Sequence, residues 1–206
     1  MSQIALPLDW PAGDTQQDYL VSAANQPLIR HLEHWSLWPV MATILTGPRK
    51  SGRSLLGRIF AAKTGGELID GAERADEEAI FHAWNRAQER RRPLILIADM
   101  PPPIWKARLP DLRSRLAATP SLRIEEPDEI LAAALIEKLC HARGLAAPPE
   151  LIRYLVPRIE RSYLGVTRTI DALDELAFER RQRLTVPLAR RALAAMGVID
   201  DSQIEE

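Results

Sequence analysis

The chain has a single cysteine, Cys140, in 206 residues. One cysteine excludes a disulfide framework and a cysteine-built zinc site, and it suits a reducing cytoplasm. Histidine is scarce too, at four. His31 and His34 stand at helical spacing, but no cysteine or further histidine is near them in sequence. A packed or exposed pair therefore fits them better than a metal site. No apolar run approaches the length of a membrane span, and the N-terminus lacks the charged-then-apolar pattern of a signal peptide. Neither sign of charge dominates. The formal net charge is -1, which excludes a protein whose main task is coating duplex DNA but leaves room for a local basic surface. Internal repeats and low-complexity tracts are missing as well. What is present is an apolar content of 46% and 16 prolines. This is enough for one α/β domain with a sizeable core plus a small extra module, in many short segments.

The most informative segment is Gly47-Pro48-Arg49-Lys50-Ser51-Gly52-Arg53-Ser54. It matches the phosphate-loop pattern G-x-x-x-x-G-K-[ST] except that Arg53 replaces the lysine. An apolar run, Val40 to Leu45, precedes it, and Leu55, Leu56, Ile59 and Phe60 follow at helical spacing. Backbone N–H groups of such a loop, at the start of a helix, can hold phosphate oxygens. Ser54 offers a hydroxyl to a magnesium ion. Arginine is a planar fork where lysine is a point charge, so the reading is nucleotide binding with weak hydrolysis. On the loop alone, a chance Gly/Ser connection between strand and helix is the alternative.

Further along, the spacing predicts a helix from Asn25 to Trp35, a short strand Glu67 to Asp70, and a helix capped by Asp76 with Ile80, Phe81 and Trp84 as its buried stripe. Leu94 to Asp99 reads as a strand buried on both faces. A short helix near Leu109 to Leu116 and a strand at Leu122 to Glu125 close a doubly wound unit. Strand signals stop after Pro127. Helices fit at Asp128 to Arg143, Pro149 to Arg161, Gly165 to Arg183 and Val186 to Met196. The expected organisation is a tail at 1–18, an α/β nucleotide-binding domain with a parallel sheet of four or five strands at 19–126, and a small all-helical lid at 127–206.

Leu109-Pro110-Asp111-Leu112-Arg113-Ser114-Arg115-Leu116 resembles box VII of the AAA+ ATPases of the DnaA/Hda family. That resemblance extends over nearly the whole chain. It implies an arginine finger at Arg115, a guanidinium offered in trans to a neighbour's phosphates; a solvated helix face is the alternative for Arg113 and Arg115. Asp70 matches the Walker B acid that positions the metal, with Gly71 where the family has a second acid. Asp99 matches the sensor 1 position, and Arg168 in Gly165-Val166-Thr167-Arg168-Thr169-Ile170 resembles sensor 2. Tyr19, Val21 and Asn25 look like the box that frames the adenine. Gly47, Gly52, Arg53 and Ser54 complete the implied nucleotide site for ADP or ATP, with Mg2+ held through Ser54, Asp70 and the nucleotide.

In the tail, Gln3, Ile4, Leu6, Pro7 and Leu8 are similar to the motif by which regulatory members of the family bind the DNA polymerase III β sliding clamp. The resemblance implies that such a protein meets DnaA on the clamp, stimulates its ATP hydrolysis and so inactivates the initiator. A homodimer is allowed. Initiators of the family carry a C-terminal helix-turn-helix domain, whereas this chain ends in an acidic stretch at Glu205-Glu206. Sequence-specific duplex binding is therefore not expected. The alternative is an autonomous ATP-hydrolysing motor or loader in replication. Arg53 and Gly71 argue against it, leaving an activator of hydrolysis more than an efficient hydrolase.

Overall fold

The structure is a computed structural model that describes residues 19–200. These residues fall into two compact units that part between Glu125 and Glu126. The tail motif at Gln3 to Leu8 lies outside the described residues.

The first unit is a parallel sheet with helices. Its strands are β1 (Ala42–Thr46), β2 (Glu67–Asp70), β3 (Leu94–Ile97) and β4 (Ser121–Arg123), in the order β2-β3-β1-β4. All three pairings are parallel. The two central strands are buried at every residue, as continuous apolar runs in a covered parallel sheet should be. The polar residues of β1 are threonines whose hydroxyls find partners: Thr43 and Thr46 donate to the carbonyls of Pro120 and Leu122, each at 3.2 Å. The flanking helices are α1 (Gln26–Glu33), α2 (Arg53–Thr64), α3 (Glu77–Arg90) and α4 (Pro110–Ala118).

Asp76 caps α3 as expected, accepting from the Ala79 N–H at 3.0 Å. The buried stripe differs. Ile80, Ala83 and Ala87 face the core, while Phe81 and Trp84 are half-buried. The small alanines let α3 approach the sheet, and the two aromatic rings are left on its flank. The chain from 25 to 35 also tightens early: α1 ends at Glu33 and a 3-10 turn covers Trp35–Leu37.

The second unit is all helical: α5 (Glu129–Ala142), α6 (Pro149–Leu155), α7 (Tyr163–Arg180) and α8 (Val186–Ala195). Its core joins Ile136, Leu151, Leu155, Ile170 and Leu188, with Cys140 fully buried among them. Burial pushes the Cys140 thiol up, so it is a packing group. Asp128, Ser162 and Thr185 each cap a helix by accepting from the N–H three residues on. α6 is half the length the spacing suggests. Pro157 follows it, and proline can neither donate to the helix nor tolerate the carbonyl one turn back.

Candidate functional site

The site lies at the carboxyl ends of the parallel strands, where β1 stands between β3 and β4 in an order that reverses the chain's direction of travel across the sheet. Gly47 follows β1 directly. A Cβ there would stand 2.8 Å from Cβ of Ile124 and 3.0 Å from its carbonyl oxygen, and its φ is +151°. Glycine alone fits so close to the chain leaving β4. Lys50 and Gly52 both take left-handed conformations, at φ 66° and 82°, which fold the loop back onto the start of α2. The first N–H groups of α2 have no intrahelical acceptor and stand at the positive end of its dipole. The Ser51 hydroxyl is buried without a hydrogen-bond partner.

Arg53 opens α2 and is 14% exposed. Its Nη1 donates to the Ala98 carbonyl at 2.8 Å and its Nη2 to Asp99 Oδ1 at 2.8 Å. The guanidinium thus ties the phosphate-loop helix to the end of β3. Its hydrogen bond holds the Asp99 carboxyl below the usual carboxylate range. Arg74 stands 3.6 Å from the other oxygen of Asp99. Arg49, Arg53, Ser54, Asp70, Arg74 and Asp99 line one open cavity of about 380 Å3. Ser54 and Asp70, the residues matched to the metal, therefore share that cavity. Among the described residues no group of three His, Cys, Asp or Glu could hold a metal ion.

The segment matched to the adenine box sits beside the loop. The Tyr19 ring lies 3.3 Å from where a Cβ on Gly52 would be. Asn25 is buried and folds the turn that carries it: Oδ1 accepts from the Ser22 N–H and Nδ2 donates to the Leu20 carbonyl, both at 2.8 Å. Val21 is half-buried in this turn.

Arg115 belongs to α4, whose position is fixed by groups the sequence reading did not single out. Glu77 accepts the backbone N–H groups of Arg108 (2.8 Å) and Leu109 (2.6 Å), and these bonds lower its pKa. It thereby satisfies donors at the start of α4, where Leu109 offers no side-chain cap. Arg113 is turned back onto the Ala107 carbonyl. Arg115 is half-buried. Its guanidinium lies over Phe81, 4.3 Å from the ring centroid, and 5.3 Å from that of Trp84. Its Nε donates to Asn85 Oδ1 and its Nη1 to the Asp111 carbonyl, both at 3.0 Å. Nη2 has no acceptor among the described residues. The spacing of Phe81, Trp84 and Asn85 on α3 was a visible helical signal, but it reads locally as a core stripe.

Arg168 lies on the exposed face of α7, in the second unit, without an ion pair or side-chain hydrogen bond among the described residues. His31 is packed and His34 is exposed. His31 stacks on Trp38 at 4.7 Å, and His34 Nδ1 lies 2.8 Å from the Arg30 carbonyl.

Residues 128–193 match the family model "Hda, lid domain". Among solved structures, the chain is similar to domain III of the replication initiation protein DnaA from Thermotoga maritima, at 13% identity with a TM-score of 0.69. The match covers 87% of this chain and 95% of that one. AMPPCP-bound DnaA from Aquifex aeolicus gives 15% identity and a TM-score of 0.59, over 79% of this chain and 65% of that one. The Thermotoga maritima RuvB Holliday junction branch migration motor gives 14% and 0.63, over 91% and 71%. No described helix is long and apolar enough to cross a membrane. The second unit thus matches an Hda-type lid, and the chain as a whole has the fold of these AAA+ neighbours.

Proposed function

We propose that the chain is an Hda-type regulator of replication initiation. In this reading residues 3–8 hold it on the DNA-loaded sliding clamp, and Arg115 completes the active site of ATP-bound DnaA and stimulates hydrolysis there. One observation carries the reading: an Hda-type lid follows an AAA+ fold whose box VII helix holds a half-exposed arginine with an Nη2 that has no acceptor among the described residues. An arginine offered in trans stabilises the charge that spreads over the transferred phosphoryl group, an effect of about three to five decades in rate. Holding the guanidinium between Phe81 and Asn85 before the partner arrives reduces the side-chain entropy lost on docking. The clamp tether raises the effective concentration of a weak contact without adding contacts.

An adenine nucleotide suits the cavity. The Aquifex aeolicus relative is described as AMPPCP-bound, and the loop here has the left-handed turns and the helix start that phosphate binding needs. The loop N–H groups and Arg49 would hold phosphates, Ser54 and Asp70 a Mg2+ ion, and Tyr19 would lie by the base. Arg168 keeps, within this proposal, the sensor 2 role that the resemblance implies. With Arg53 engaged by Asp99 and Gly71 in place of a second acid, the bound nucleotide acts as a structural group more than a substrate. A protein that acts on DnaA at the clamp would work in the cytoplasm, and a homodimer is compatible with the reading.

The test is DnaA-bound ATP hydrolysis in the presence of clamp loaded on DNA. The chain should accelerate it. Arg115→Ala should remove the acceleration while clamp retention and nucleotide affinity persist, and Ala at Gln3, Leu6 and Leu8 should remove clamp retention. Full stimulation by Arg115→Ala would sink the finger assignment.

A further inference from the structure

We infer that the end of the lid where α7 passes to α8 is a binding surface for single-stranded nucleic acid. This goes beyond the proposed function and does not depend on it. The fourteen residues from Phe178 to Arg191 carry five arginines (180, 181, 183, 190 and 191) and one acid, Glu179. Their net charge is +4, so the other residues of a chain at -1 sum to -5. Positive charge is thus concentrated in one short segment of a chain that is net acidic over its remaining residues, and such a segment attracts an approaching polyanion.

Four of these five arginines have no internal engagement among the described residues. Arg180, Arg181, Arg183 and Arg191 are exposed and make no ion pair or side-chain hydrogen bond among the described residues. In the other arginine-rich stretch, at the end of α3, Arg90 and Arg91 are exposed in the same way, but their neighbours are engaged. There Arg86 pairs with Glu67 at 2.8 Å and Arg92 donates to the Thr64 carbonyl at 2.9 Å. Backbone bonds draw the lid cluster together. The Arg181 N–H donates to the Phe178 carbonyl at 3.2 Å and the Gln182 N–H to the Ala177 carbonyl at 3.0 Å. Arg183 and Arg191 then line one open hollow of about 390 Å3 with Gln182 and Thr185.

The aromatic group decides between ligands. Phe178 is 85% exposed, the most exposed large apolar side chain among the described residues, and it stands two and three positions before Arg180 and Arg181 in sequence. A lone apolar ring on a basic surface offers nothing to a phosphate chain whose bases are stacked inside a duplex. It offers a stacking platform to an unpaired base, while the guanidiniums follow the backbone. Arg190 extends the surface; its guanidinium lies 5.9 Å from the Tyr154 ring centroid, and Arg158 covers the same ring at 4.1 Å.

The experiment is fluorescence anisotropy of the full chain with labelled oligo-dT of about twenty nucleotides and with a duplex of the same length. If four arginines each meet a phosphate, raising salt from about 50 to about 200 mM should weaken oligo-dT binding about 50-fold. Phe178→Ala should weaken it about tenfold. Arg183→Glu with Arg191→Glu should weaken it at least as much, and Arg90→Glu with Arg91→Glu on the first unit should leave it unchanged. All five sites are exposed, and circular dichroism would verify that the variants fold. Absence of oligo-dT binding, equal binding of duplex with no effect of Phe178→Ala, or an equal loss in the Arg90/Arg91 variant would each overturn the inference.

Discussion

Replacing Arg53 by alanine in the absence of any nucleotide should destabilise the first unit by about 2 kcal/mol. Two interactions are lost, and they are unequal. The bond to the Ala98 carbonyl joins a charged donor to a buried backbone acceptor, and a hydrogen bond to a charged group contributes about 1.5–3 kcal/mol. The bond to Asp99 ends on a side chain that is 55% exposed. Solvent screening reduces such a pair to about 0.2–1 kcal/mol. Asp99→Ala should therefore lose well under half of what Arg53→Ala loses, and Arg53→Lys should fall between, since one ammonium cannot reproduce a fork that reaches both acceptors. Urea unfolding followed by tryptophan fluorescence isolates the effect, because all five tryptophans (10, 35, 38, 84 and 105) precede residue 126 and the lid is silent. The pH dependence has a definite sign. Asp99 is depressed in the folded state, so its contribution is complete at neutral pH and fades as pH falls below the usual carboxylate range. A neutral Arg53→Ala, or an Asp99→Ala as damaging as Arg53→Ala, would show that Arg53 does not stitch the loop helix to β3.

Gly47→Ala should destabilise the first unit by about 2 kcal/mol or more, since the new Cβ meets Ile124 at 2.8 Å with no flexible atom to yield; an unchanged urea midpoint would refute that contact. Phe81→Ala and Asn85→Ala should each lower stimulation of DnaA hydrolysis about threefold to tenfold by loosening Arg115, with clamp retention intact, and a wild-type maximal rate in both would separate the finger from its shelf. Burial pushes His31 below the ordinary histidine range, so the folded state resists its protonation. Stability of the first unit should be level above the ordinary histidine pKa and decline as pH falls below it, down to the depressed folded-state value; in His31→Phe, which keeps a ring against Trp38, this decline should vanish in the urea midpoints. Ser162→Ala removes the cap that accepts from the Gly165 N–H at 2.9 Å and should lower lid stability by about 1 kcal/mol, read by far-UV circular dichroism of the full chain.

Much of this arrangement is legible from local pattern, and the unreadable part has a common cause. β3 is visible within a run of five apolar residues between a proline and an acid, because burial on both faces removes any alternation that could confuse it. The loop at 47–54 is visible because glycine marks the places where the backbone must turn left-handed or pass close to another chain segment, as Gly47 does against Ile124. The role of Arg53 is different in kind. Its side chain type is compatible with holding phosphates, and nothing within the loop says that its partners are Ala98 and Asp99, 45 and 46 positions away. The same holds for Glu77, whose carboxylate caps a helix that begins 33 residues later. Phe81 and Trp84 carry the helical period of a core stripe, yet the alanines at 83 and 87 occupy the core side and the rings are left to meet Arg115 from another helix. Periodicity reports that one face of a helix is apolar. It does not report whether the facing surface is a sheet or a guanidinium, and that distinction turns a core position into part of a site.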